Sequence, residues 1–315
     1  MYSSARRMIP AFALSLLLAG CVTAPMTGRN QLLLVGDGEM NAMGVQAFQQ
    51  VLTEEPVSKD PQKNALVSGV GRRIAQAAEQ YLAGQGRPEQ FAWEFVVIEN
   101  DETVNAWCLP GGKVAVYTGI LPVTETEDGL AVVVAHEVAH AIARHSNERM
   151  SQGLIVEMGG QALSAALQSQ PQRTREMFLQ AVGLGANVGV VLPFSRTQEY
   201  EADRIGLNLM AMAGYDPRAA IPLWERMNSM GGPRPPEFLS THPAPQHRIE
   251  ALNQMMPEAL GYYRGAAGTR QTPPAPAAAP AQQQPAPPPT RVQPAPPPPA
   301  GPGFSAGPSR SYRIK

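Results

Sequence analysis

From residue 130 to residue 142 the chain is apolar at every position except His136, Glu137 and His140. A run of that length exceeds an ordinary strand. Despite the strand-favouring Val132-Val133-Val134, it predicts a helix buried nearly all round. Glu127 and Asp128 near its start and Arg144 near its end suit the two poles of a helix dipole. Upstream, residues 38–52 and 62–82 read as helices, the second with Leu66, Val67, Val70, Ile74 and Ala77 at helical spacing. Residues 91–98, 105–108 and 113–117 are short strand candidates, rich in β-branched and aromatic residues. Leu109-Pro110-Gly111-Gly112 suits a type II turn that would join the last two as a hairpin. Residues 150–190 predict two helices of small residues, interrupted by the polar stretch 168–175 with Pro171. They serve as core packing or as cover for a cleft. A polar-faced helix is predicted over 195–212, and two more over 217–227 and 245–255.

The two ends change the domain count. Arg6 and Arg7 precede a short apolar run over residues 9–18, which is the pattern of a secretory signal and too short for a transmembrane helix. It closes on Leu18-Ala19-Gly20-Cys21, which resembles a bacterial lipobox and implies cleavage before Cys21 and lipid attachment to it. Val22, not Asp, follows; by resemblance to Gram-negative sorting rules, that implies the outer membrane. Much of the chain's 32 prolines lies beyond residue 265, in a Pro/Ala/Gln-rich stretch that cannot bury enough apolar surface to fold. The expected organisation is a lipoprotein signal peptide (1–20), an anchor and linker (21–37), one folded domain (38–264) and a disordered tail (265–315). A formal net charge of -1 gives no electrostatic case for nucleic acid, and aromatics at 6% are too few for base-stacking platforms. Two cysteines, Cys21 and Cys108, are too few for a disulfide framework; Cys108 reads as a small buried residue.

The chemistry sits in His136-Glu137-Val138-Ala139-His140. Residues four apart share a helix face, so both histidines can direct a ring nitrogen at one ion, and a metal would satisfy polar groups otherwise costly to bury. Glu137, beside the first ligand, can take a proton from a water at that ion, the arrangement of zinc hydrolases. Such a site needs a third protein ligand. The metzincin third histidine would require Gly at 143 and His at 146, whereas the chain has Ala143 and Ser146. Glu199, Asp203 and Gly206 share one strip of the predicted 195–212 helix. Gly206 would let that helix approach the metal helix, and Asp203 could hydrogen-bond a ligand histidine from behind. Glu201 lies about 200° round from Glu199, so the two cannot both face the metal. His145 and His247 are expected at exposed helical positions. His242, in Thr241-His242-Pro243, reads from its local sequence as a turn residue or a packed histidine. The hairpin before the metal helix is either purely structural or an edge to which an extended peptide adds.

Taken together, several pieces resemble one family. They are Asn105-Ala106-Trp107-Cys108-Leu109-Pro110-Gly111-Gly112, the His136–His140 motif, Ser195-Arg196, Glu199-Tyr200-Glu201-Ala202-Asp203 and Thr241-His242-Pro243. The family is the CAAX-prenyl-endopeptidase/HtpX-like zinc metallopeptidases, and the chain is most similar to its periplasmic and lipoprotein members of the BepA/LoiP kind. The resemblance covers about residues 30–255. It implies an α+β, mostly helical zincin-type (gluzincin) domain with a small sheet or hairpin beside the metal helix. It implies one Zn²⁺ per chain held by His136, His140 and Glu199, with Glu137 as general base, Asp203 at a second acidic position and His242 approaching the zinc. His242 would then be a latch on the open metal position or, with Arg248, a donor to the developing oxyanion.

The expected function is a zinc-dependent metalloendopeptidase acting on misfolded or misassembled envelope proteins. It would be lipid-anchored through Cys21 in the outer membrane, facing the periplasm, and in reach of the outer-membrane assembly machinery. The alternative is a chaperone-like protein that holds such clients and rarely cuts them. An aminopeptidase would need an acidic group fixed on the substrate amine, and no candidate stands out.

Overall fold

The computed structural model describes residues 21–89, 91–158, 171–182, 194–230, 236–242 and 247–269. The chain divides into two units, Met1–Arg270 and Gln271–Lys315, and the described residues all belong to the first. The signal-peptide expectation and that of a disordered tail from residue 270 on lie outside the described residues.

The described chain opens with a hairpin, strand β1 (Cys21–Thr23) antiparallel to β2 (Asn30–Leu32), with Cys21 opposite Leu32. The expected linker over residues 21–37 is therefore corrected. Ala24, Gln31 and Val35 are buried. Gln31 Nε2 donates to the Ala143 carbonyl at 2.7 Å, and Asn147 Nδ2 donates to the Val35 carbonyl at 2.7 Å. Long-range polar contacts stitch the segment into the domain, and no hydrophobic periodicity announces them.

Helix α1 (Asp37–Glu54) buries Met40, Gly44, Ala47 and Phe48 along one face. Helix α2 (Pro61–Gly84) starts where Asp60 caps the amides of Gln62 and Lys63 and Pro61 takes the first turn, where its missing N–H costs nothing. Three strands follow, β3 (Glu94–Ile98), β4 (Ala106–Leu109) and β5 (Lys113–Tyr117), in the order β3-β5-β4. β5 runs parallel to β3 and antiparallel to β4. β4 and β5 form the expected hairpin: Gly112 N donates to the Leu109 carbonyl at 3.1 Å, and Gly111, at φ 86°, takes the left-handed position of the turn. β3 begins later than expected. Phe91 and Trp93 instead stack on each other, with ring centroids 4.7 Å apart.

A short helix α3 (Leu121–Thr124) leads into α4 (Glu127–Ile142), which carries the metal motif. Thr126 caps α4 through the Gly129 amide, and Glu127 and Asp128 occupy its first turn. Thirteen of its residues are buried, so it is a central helix packed on every side. Its neighbours are α2, β4 and, most extensively, α7 (Arg196–Met212). Between α4 and α7 lie α5 (His145–Met158) and α6 (Pro171–Ala181). Pro171, expected to interrupt the small-residue segment, starts α6 instead. Three helices close the described part: α8 (Ala220–Ser229), α9 (Glu237–Thr241) and α10 (Arg248–Thr269). α10 runs about a turn past residue 264, where the tail was expected to begin.

Candidate metal centre

α4 and α7 meet at a glycine. A Cβ on Gly206 would stand 3.1 Å from the His136 amide nitrogen and 3.2 Å from the Ala135 carbonyl, so any side chain here would press on the α4 backbone, and glycine lets the helices come this close without strain. Ser195 and Gln198 form a capping box that fixes the start of α7. Glu199, one residue later, therefore projects from a rigid first turn onto the His136–His140 face. At the C-terminus of α9, the His242 amide donates to the Phe238 carbonyl at 2.8 Å, and the imidazole lies between the rings of Phe238 and Phe194, with centroids at 4.6 and 5.1 Å.

These elements bring His136, His140, Glu199 and His242 together, one donor atom from each lying within 4.8 Å of the others, all four buried. His136 Nε2 and His140 Nε2 are 3.1 Å apart, and His242 Nδ1 is 3.3 Å from His136 Nε2 and 3.1 Å from Glu199 Oε1. Behind His136, Asp203 Oδ1 lies 3.1 Å from Nδ1. Behind His140, His145 Nδ1 lies 2.9 Å from its Nδ1. With the outer nitrogen of each ligand ring carrying its hydrogen, both Nε2 lone pairs point into one small buried space. Lone pairs at that separation repel unless a cation sits between them. The donor set of three imidazole nitrogens and one carboxylate is borderline-soft and suits Zn²⁺. By that test the residues fit a zinc ion.

The electrostatics agree. In the metal-free chain burial works against a charge on His136, but the Asp203 and Glu199 carboxylates hold its pKa up at about 9. A proton there takes the place of the cation. Burial, aided by the charge on His136, drives His140 well below the ordinary value, and burial also lowers His145. Both shifts disfavour the charged ring, as a ligating imidazole requires. Burial alone would raise Glu199, yet the charges and hydrogen bonds of His242 and His136 hold it well below the ordinary carboxylate range. Glu137 goes the other way, raised by burial, and its Oε1 has no hydrogen-bond partner among the described residues. His242 Nε2 stands 3.4 Å from that oxygen.

Arg248, named as a companion of His242 in the oxyanion alternative, is found paired with the site's carboxylates. Its Nη1 donates to Glu199 Oε2 at 3.2 Å, its Nη2 donates to Asp203 Oδ1 at 2.6 Å, and its guanidinium lies 3.4 Å above the Trp224 ring. It orients the two carboxylates. Removing one partner of a buried ion pair costs about 3–5 kcal/mol, so Arg248 fixes the Glu199 carboxylate firmly. His145 is also corrected. It is fully buried behind His140 because Arg144, at φ 55°, turns the chain sharply after α4. Glu201 points away from the four donors, but it is buried against His145 Nε2 at 2.9 Å. His247 is exposed. Sequence reasoning gave no role to Phe194, Phe238, Arg29 or His145; Arg29 and Phe194 lie in connecting segments, and Phe238 and His145 sit in the first turns of their helices, where no hydrophobic period marks them.

A family model described as Peptidase family M48 matches residues 58–256. The chain is 42% identical over 188 residues to "Mitochondrial metalloendopeptidase OMA1" of Schizosaccharomyces pombe, covering 59% of this chain and 53% of that protein. It is 31% identical to the protein of the same name from Saccharomyces cerevisiae, covering 79% of this chain and 75% of that one. It is 28% identical to the "Beta-barrel assembly-enhancing protease" of Escherichia coli, covering 80% of this chain and 50% of that one. The chain thus spans about half the length of the first and third of these relatives.

Proposed function

The chain belongs to peptidase family M48, and from that premise we propose that it is a lipid-anchored zinc endopeptidase that cuts misfolded or misassembled proteins of the bacterial envelope. The observation that carries the reading is the buried convergence of His136, His140 and Glu199 with the Glu137 carboxylate beside it. Zinc in that cluster would polarise a scissile carbonyl and make a water acidic enough to attack it at neutral pH. Glu137, raised by burial, takes the proton from the attacking water at its carboxylate and delivers it to the leaving amine. Asp203 and His145 hold the two imidazoles in the ligating tautomer, and Arg248 holds Glu199 and Asp203 in place.

Two features support the envelope reading. The first is Leu18-Ala19-Gly20-Cys21, which has the form of a lipoprotein processing site. The name of the E. coli relative points toward assembly of β-barrel proteins, which makes clients of the outer-membrane assembly machinery the first substrates to examine. Crosslinking the full-length Glu137→Gln variant in the envelope and identifying bound proteins is the direct experiment. Envelope proteins should accumulate on it well above the parent level. If clients are bound equally by both forms and mature normally in Glu137→Gln cells, the chain is a holding protein instead.

The anchor has its own test. Cys21→Ser should move the protein out of the membrane fraction or leave it unprocessed on a gel. Unchanged fractionation with normal processing would remove the lipid from the proposal.

A further inference from the structure

The donor cluster has a backing layer that reaches the N-terminal hairpin. His140 Nδ1 faces His145 Nδ1 at 2.9 Å, and His145 Nε2 faces Glu201 Oε2 at 2.9 Å. Glu201 also receives Arg29 Nε at 2.8 Å, Arg29 Nη2 at 2.7 Å and the Thr27 hydroxyl. Arg29 forks onto Glu148 as well, with Nη1 to Oε1 and Nη2 to Oε2 both at 2.7 Å. Gln198 Nε2 donates to Glu148 Oε2 at 2.8 Å and so ties this layer to the capping box of α7. His145, Glu148 and Glu201 are all buried.

With His145 carrying a single ring hydrogen, the bookkeeping along this chain leaves one solution. A Glu201 carboxylate paired with a guanidinium can only accept, so the hydrogen on His145 sits on Nε2. A neutral His145 then has a bare Nδ1, which accepts the hydrogen on His140 Nδ1. His140 is thereby fixed in the tautomer whose Nε2 lone pair points into the cluster. Without His145, a buried Nδ1–H is left unpaired, or the ring adopts the other tautomer and turns its lone pair away. The outermost member, Arg29, lies outside residues 58–256, the stretch that matches the family model.

We propose that the β1–β2 hairpin is a working part of the metal centre: Arg29 holds Glu201, Glu201 holds His145, and His145 sets the tautomer and tilt of His140, so that docking of the hairpin sets zinc affinity. The segment that joins the fold to residue 21 thus bears directly on the metal. Glu201, which the sequence placed away from the metal, acts on it through His145. Arg29, Glu201 and His145 are positioning residues; none of them meets substrate. The proposal rests on the reading that zinc is held by His136, His140 and Glu199.

The test measures zinc dissociation constants by chelator competition on the full chain, with the Co²⁺ absorption spectrum as a second reading of ligand geometry. His145→Ala should weaken zinc binding roughly 10–100-fold, and Arg29→Met about tenfold, the range found when a partner behind a metal ligand is removed. His145→Asn should recover part of the loss, because its side-chain oxygen can stand where Nδ1 stood. The Co²⁺ band should shift in His145→Ala and Arg29→Met. If these variants melt at lower temperature but bind zinc within twofold of the parent with an unchanged Co²⁺ spectrum, the layer is merely structural and the proposal fails. Should His145→Ala not fold, Arg29→Met and His145→Asn decide by the same criteria. Glu199→Ala separates the two levels: if it keeps parental zinc affinity, the zinc assignment itself is wrong, whereas its loss of zinc beside a parental Arg29→Met overturns only the role of the hairpin.

Discussion

Glu137→Gln should bind one zinc per chain like the parent and lose peptide hydrolysis by on the order of 10²–10⁴-fold, the range for removing a general base. The glutamate is buried on the inner face of α4, and its Oε1 has no partner among the described residues. The amide keeps its shape and takes away only its ability to accept a proton. Glu199→Ala should lose both zinc and hydrolysis, since a catalytic zinc needs three protein ligands. It also strips Arg248 of one of its two carboxylates, so Glu199→Gln, nearly isosteric, is the companion that separates metal loss from misfolding. Zinc content by mass spectrometry under native conditions and turnover of a short quenched peptide are the two readings. Zinc loss from Glu137→Gln would make that residue a ligand. Parental turnover would remove it as the base.

The residues that make this prediction possible were legible because they obey a helical period. His136 and His140 share a face by spacing, and an apolar run interrupted only by His136, Glu137 and His140 marks a helix with polar groups in need of a partner. Glu199, Asp203 and Gly206 fall on one strip by the same rule, and Gly206 stands at the closest approach to α4. What failed to show was the layer behind them. A sequence that reads Arg144-His145-Ser146-Asn147 after an apolar helix looks like solvated chain. The left-handed turn at Arg144 folds it inward, where His145 meets His140 and Glu201 and Asn147 donates to the Val35 carbonyl. Burial by mutual hydrogen bonding leaves no hydrophobic trace. Arg29 was hidden for the same reason, because its partners Glu148 and Glu201 are 119 and 172 residues away.

His242→Ala should raise basal peptide turnover about tenfold or more while weakening zinc binding, because the geometry favours a latch over an oxyanion donor. Its Nδ1 is one of the four clustered donor atoms, and its Nε2 lies 3.4 Å from Glu137 Oε1. With zinc held by His136, His140 and Glu199, this ring would occupy a position that a substrate carbonyl or water needs, and it sits against the base. The stacking of Phe194 and Phe238 and the amide bond to Phe238 hold it there. Arg248, the suggested helper at an oxyanion, gives Nη1 to Glu199 and Nη2 to Asp203, so both of its terminal nitrogens already have carboxylate acceptors. If the latched form dominates, the competent form is on the order of 0.1–10% of molecules, and removing the latch releases the remainder. Zinc affinity should fall because a fourth donor is lost, whereas Glu199 and the two helix histidines remain. The measurement is turnover of a short peptide at saturating zinc, beside the zinc dissociation constant. A fall in turnover of about 10²-fold would assign His242 to the oxyanion instead. If turnover and zinc affinity both stay within twofold of the parent, His242 is a packed turn residue with no part at the metal.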